Sequence, residues 1–131
     1  MADIAILEDN ALMRRYLADL IGQVGGHMTR TFESPGELLE SLAAQSAQVV
    51  VVDIGLGPNA QIDGEHVDGL AVSRHLKTLS PPPAVVLLTA HAFDGDEARF
   101  LDESQADGYE AKPIRDEDAF LAKLVRLFGQ S

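Results

Sequence analysis

The chain has 131 residues, 46% of them hydrophobic, which is one domain's length with enough apolar content to bury a core, so disorder throughout is excluded. No apolar run approaches a membrane span, the first residues lack the basic-then-apolar plan of a signal peptide, and the absence of cysteine removes disulfide and thiolate chemistry. The lack of a span and of a signal peptide leads to the expectation of a cytoplasmic protein, and the excess of acidic over basic residues, 21 to 10 for a net charge of -11, argues against direct binding to nucleic acid or membrane and for a cation or a partner with a basic face.

Asp3 to Leu7 has the length and apolarity of a strand and ends in the acid pair Glu8-Asp9. Met13, Leu17, Leu20, Ile21 and Val24 then recur at helical spacing until Gly25-Gly26 stops the helix. His27 to Phe32 reads as a second, weaker strand. Ser34-Pro35-Gly36-Glu37 combines an N-cap hydroxyl, a first-turn proline and a glutamate at the third helical position, so a helix through Leu38, Leu39 and Leu42 starts there. The valines 49–52 predict a strand buried on both faces, and that strand ends in Asp53.

Residues 54–67, with Gly55, Gly57, Pro58, Asn59 and Gly64, read as a long loop. From Asp68 the helical period returns in Leu70, Val72, Leu76 and Leu79, and the prolines 81–83 end it. Ala84 to Leu88 is a fourth buried strand, which delivers Thr89-Ala90 to its carboxyl end. A helix over 94–103, a short strand over 108–111 leading into Lys112-Pro113, and a last helix over 116–128 complete the chain.

Five alternations of strand and helix predict a doubly wound α/β fold with a five-stranded parallel sheet, because right-handed crossovers return each strand to the same end. Every strand then finishes on one edge, where open α/β sheets hold ligands. Glu8, Asp9, Asp53, Thr89 and Lys112 become neighbours there. Three carboxylates in one crevice repel each other unless a cation joins them, and an oxygen-only donor set with room for water suits Mg2+. A hydroxyl and an ammonium beside that ion are what a phosphoryl group needs. Asp53, at the centre of the sheet, is the natural nucleophile.

With these residues in hand, the chain resembles the response-regulator receiver (CheY-like) family, the phosphoacceptor domains of two-component phosphorelay signal transduction. Glu8-Asp9, Asp53, Thr89-Ala90, and Lys112-Pro113 preceded by Tyr109 carry the resemblance. It implies the flavodoxin-like strand order 2-1-3-4-5. It also implies that Asp9 binds Mg2+ directly, Glu8 acts mainly through water, and the Gly55 carbonyl supplies a further ligand. Asp53 is then the phosphoacceptor for a histidine kinase or histidine phosphotransfer protein. Thr89 swings toward the phosphate, Tyr109 turns inward into the space it leaves, Lys112 pairs with the phosphate, and the Lys112-Pro113 peptide is cis. His91 is either an ordinary loop residue or, with Gly55, a residue that tunes dephosphorylation.

The chain departs from the family pattern between Asp53 and the next helix. The Asp-Gly pair that opens this helix is Asp68-Gly69, or alternatively Asp63-Gly64, well beyond the usual short turn. The extra residues are either a surface loop without a dedicated role or a lid or partner contact beside Asp53. Asp63, Glu65, His66 and Asp68 fit no metal loop and read as a solvated charge run. Phe120, Leu121, Leu124, Val125, Leu127 and Phe128 cover a wide arc of the last helix, which either a partner or homodimer surface or a broad core contact explains.

The expectation is a single receiver domain over 1–131, without an output domain in this chain. It would be a non-enzymatic, phosphorylation-controlled switch acting on a downstream protein. The alternatives are a phosphorylation-independent binding module and an aspartyl-phosphate phosphohydrolase; the latter needs a second acid where Gly55 stands. A flavodoxin-type cofactor binder is disfavoured because Glu8-Asp9-Asn10 would repel the cofactor phosphate.

Overall fold

Each of the four valines in Val49–Asp53 (β3) is wholly shielded from solvent, since the strand lies mid-sheet with helices on both faces. A computed structural model of the chain describes residues 2–90 and 96–128. Around β3 stand β1 (Asp3–Leu7), β2 (Met28–Phe32), β6 (Ala84–Thr89) and β7 (Gly108–Ala111). These strands are all parallel, in the order β2-β1-β3-β6-β7. Counted within this sheet the order is 2-1-3-4-5, the flavodoxin-like arrangement expected.

Alternate strand residues feed two cores. Ile4, Ile6, Val49, Val51, Val86 and Leu88 face α1 (Ala11–Ala18) and α5 (Glu117–Phe128), where Leu17, Phe120 and Leu124 cover them. Ala5, Leu7, Val50, Val52, Val85 and Leu87 face α2 (Pro35–Ala44) and α3 (Gly69–Leu76), where Leu38, Leu70, Val72 and Leu76 do the same. Burying a side chain of this size stabilises the fold by about 1.5–3 kcal/mol relative to leaving it exposed. A further helix, α4 (Asp96–Ser104), adds Phe100 to the second core.

Local signals account for the helix starts. The Asn10 side chain accepts from the Met13 N–H, Ser34 from Glu37 and Asp68 from Ala71, each satisfying a first-turn donor. The first helix continues as a π-helical stretch, Asp19–Val24, a register that periodicity alone does not reveal. α3 ends at Leu76, before the prolines, so Leu79 lies beyond the helix. Of the helix expected over 94–103, Asp94 and Gly95 fall outside the described residues, and the observed helix runs one residue further, to Ser104.

The reading of 54–67 as a loop throughout is corrected. It contains a hairpin of β4 (Gln61–Ile62) and β5 (Glu65–His66), with Asp63 and Gly64 both at positive φ in its turn. A two-residue turn of this type requires positive φ at both positions, which Asp-Gly tolerates. This assigns Asp63-Gly64 to the hairpin tip and leaves Asp68-Gly69 to open α3. Asp63, Glu65, His66 and Asp68 are all exposed, as a solvated charge run should be. On α5, Phe120 and Leu124 are buried while Leu121, Leu127 and Phe128 pack against the first core; Val125 is left 47% exposed. The wide apolar arc is chiefly a core contact. Among the described residues no helix is long and apolar enough to cross a membrane.

Candidate functional site

Strand register gathers the site. β1 pairs with β3 up to Leu7 and Val52, so Glu8 and Asp53 emerge side by side. Thr89 pairs with Ala111, and the Lys112 N–H donates to the Thr89 carbonyl at 2.7 Å, which brings Lys112 to the same edge. Glu8, Asp53 and Thr89 are buried, with 1%, 4% and 4% exposure, whereas Asp9 is exposed.

The Lys112 ammonium bridges the two buried acids, with Nζ 2.8 Å from Glu8 Oε2 and 3.1 Å from Asp53 Oδ1. Glu8 Oε1 also accepts from the Asn10 N–H at 3.2 Å, and Asp53 Oδ1 from the Gly55 N–H at 3.3 Å. Arg14 donates to the backbone carbonyls of Glu8 at 2.9 Å and Asp9 at 3.2 Å, which fixes the turn that carries the acids. The helix cap is Asn10.

Burial pushes the Glu8 and Asp53 carboxyls above the usual carboxylate range, and for both the Lys112 ammonium offsets only part of that shift. Burial presses on Lys112 in the opposite sense. Its hydrogen bond to Glu8 and the Asp53 charge prevail, so its pKa is raised. The cluster therefore holds protons more readily than its members would in water.

Oxygen atoms of Glu8, Asp9 and Asp53 lie within 4.8 Å of one another. This all-carboxylate donor set, open to solvent at Asp9, fits a hard cation with retained waters. Asp63, Glu65, His66 and Asp68 form no such group among the described residues. The cleft has a volume of about 420 Å³, with Gly55, Thr89, Ala90 and Phe100 on its walls beside the charged residues.

Tyr109 lies on edge strand β7 with its ring stacked on Phe100, centroids 6.1 Å apart. Its hydroxyl is buried without a hydrogen-bond partner among the described residues. Burial, with the charges of Asp96 and Glu97, raises its pKa. The Lys112-Pro113 peptide is cis, as is Ser80-Pro81. His91 lies outside the described residues. Sequence reasoning missed Asn10, Arg14 and Phe100. Arg14 reaches back over a turn whose path no spacing encodes, and Phe100 comes from a helix with no motif.

A flavodoxin-like sheet with three acids, a hydroxyl and a lysine at its carboxyl edge defines the class, and sequence comparison gives the family. Residues 4–124 match the family model described as response regulator receiver domain. The chain belongs to that family, the receiver domains of two-component response regulators. It is 31% identical over 118 residues to the positive alginate biosynthesis regulatory protein of Pseudomonas aeruginosa, covering 88% of this chain and 43% of that protein. It is 30% identical over 114 residues to the DNA-binding transcriptional regulator NtrC of Escherichia coli, covering 87% and 22% respectively. The chain thus spans less than half the length of these relatives. The receiver domain of NtrX from Brucella abortus matches with a TM-score of 0.81 at 24% identity, over 98% of this chain and 100% of that one. The BeF3-activated DrrB receiver domain matches with a TM-score of 0.76 at 23% identity, over 100% and 99%. At these identities the structural matches speak for the fold alone.

Proposed function

We propose that the chain is a phosphorylation-controlled signalling switch of the cytoplasm, in which Asp53 accepts a phosphoryl group from a histidine kinase or histidine phosphotransfer protein. A carboxylate oxygen of Asp53 attacks phosphorus while the donor's phosphorus–nitrogen bond breaks, its electron pair returning to the imidazole. Lys112 then pairs with the phosphoryl oxygens, and the Thr89 hydroxyl donates to one of them. Asp9, Asp53 and the Gly55 carbonyl would hold Mg2+, with Glu8 acting through water. The bound ion neutralises charge on the phosphoryl group. The observation that carries this reading is the Lys112 ammonium set between two buried carboxylates, 3.1 Å from the acceptor oxygen. An internal ion pair alone is weak support for stability, since desolvation offsets its attraction.

The added charge, about -1.5 to -2 for a phosphoryl group near neutral pH, favours whichever arrangement lets Thr89 and Lys112 bind it better. Tyr109, whose buried hydroxyl lacks a partner among the described residues, moves with Thr89 and alters the face that a downstream protein meets. The chain acts as a phosphoacceptor and not as a turnover enzyme. Residues 1–131 work as one receiver unit; DNA binding belongs to the named relative.

Intact mass after incubation with acetyl phosphate and magnesium chloride tests the reading. Wild type should gain one phosphoryl group, Asp53→Asn none, and a chelator should abolish the gain. Equal labelling of the two proteins would move the acceptor elsewhere, and no labelling of either would favour a phosphorylation-independent binding module.

A further inference from the structure

The three acids of the cleft are held in different ways. Glu8 is fixed by Lys112 and Asn10, and Asp53 by Lys112 and Gly55. The Asp9 carboxylate has no hydrogen bond or ion pair among the described residues, although it is the most solvent-open of the three. What faces it is the side of Gly57 on which a side chain would stand. A β-carbon at Gly57 would lie 3.1 Å from Asp9 Oδ2, and Gly57 has a φ of +82°, a conformation that favours glycine.

Gly57 is itself tethered. Its carbonyl lies 3.2 Å from His66 Nε2, and because a carbonyl only accepts, that ring nitrogen carries the hydrogen. His66 belongs to β5, and the next residue, Val67, donates its N–H to the Ala60 carbonyl at 2.9 Å. Leu56 and Ala60, on either side of the tethered turn, are each 5% exposed and belong to the second core. Between this turn and the start of α2 lies a cavity of about 300 Å³ with Asp9, Glu33 and Ser34 on one side and Gly57 and Asn59 on the other. The extra residues between Asp53 and α3 therefore form an anchored wall against the one loosely held acid.

We propose that this inserted segment is a positioning element of the cation site: His66 holds the Gly57 carbonyl, and the Gly57 backbone sets where the Asp9 carboxylate can close on a divalent cation. The inference rests on the magnesium reading of the cleft. Outer-shell groups that orient ligands commonly change metal affinity by about 10- to 100-fold when removed. By linkage, if the tether tightens cation binding, the cation must stabilise the tether by the same factor.

Calorimetric titration with magnesium chloride alone, on the unphosphorylated chain, separates the possibilities. Gly57→Ala should weaken binding roughly tenfold. His66→Ala should weaken it about two- to tenfold, the range of one lost hydrogen bond, and His66→Gln, which keeps a donor at similar reach, should restore it. Magnesium should also slow hydrogen exchange at the Val67 amide in wild type and in His66→Gln, but not in His66→Ala. Thermal unfolding in chelator identifies any variant that fails to fold; if Gly57→Ala does, the two His66 variants decide. Wild-type binding with the same dissociation constant in His66→Ala and His66→Gln would overturn the positioning role and leave the magnesium reading intact. No magnesium binding by wild type would overturn both.

Discussion

At Asp53 and Glu8, burial and charge pull against each other. Both carboxyls have raised pKa values because burial disfavours their charged forms more than Lys112 favours them. The folded state thus binds protons at pH values where the unfolded chain has released them, so stability falls as pH rises from the ordinary carboxylate range through the raised values. Lys112 has the same sign in a more alkaline window: its raised pKa adds stability that is fully present below the ordinary lysine value and is lost as pH climbs through the raised one. In metal-free buffer, Asp53→Asn should melt at a higher temperature than wild type at neutral pH, because it removes a charge that burial disfavours. The difference should shrink as pH is lowered toward about 4. A scanning calorimetry series in chelator checks this, and an unchanged difference across that pH range would mean that Asp53 titrates normally.

At the scale of elements, the decisive contact is between the end of β3 and the start of α3. A β-carbon on Gly69 would sit 2.2 Å from the Asp53 carbonyl oxygen and 2.5 Å from the Ile54 α-carbon. The Gly69 N–H donates to the Ile54 carbonyl at 2.8 Å, so the helix start is tied to the residue that follows Asp53. Gly69→Ala must move that backbone. It should destabilise the fold by about 1–3 kcal/mol, the usual range for overpacking, and lower the rate of labelling by acetyl phosphate more than a remote substitution of equal destabilisation. Urea melts alongside intact-mass time courses would measure both.

This junction also shows what the sequence could and could not convey. The strand ending in Asp53 was legible because a run of four valines with no polar alternation has few other homes, and Ser34-Pro35-Gly36-Glu37 announced its helix through local chemistry. The hairpin was not legible: strands of two residues are too short to display alternation, and the Asp63-Gly64 turn looked like a rival helix start. The bridging of Glu8 and Asp53 by one ammonium was invisible for a different reason. It depends on side-chain reach across a register of strands far apart in the chain, whereas the meeting of those residues at one edge followed from topology alone.

Over the whole molecule, one sheet serves two cores, and no strand of β1, β3 or β6 belongs to one core only. Loss of packing on either face should therefore unfold both together. Phe120→Ala empties a fully buried site under the first core and should remove about 3–5 kcal/mol, lowering the melting temperature by roughly 10–20 °C. Far-ultraviolet circular dichroism and tyrosine fluorescence should still report one coincident transition; separated transitions would mean that the second core survives alone. The hairpin stands apart from this cooperative unit at its tip, where Asp63 and Gly64 face solvent, although its base reaches the wall of the acid cleft. That combination makes the tip a natural port for engineering. An environment-sensitive dye attached there through a cysteine, in a chain that has none of its own, would become an optical reporter of cation occupancy at a distance from the chemistry it reports.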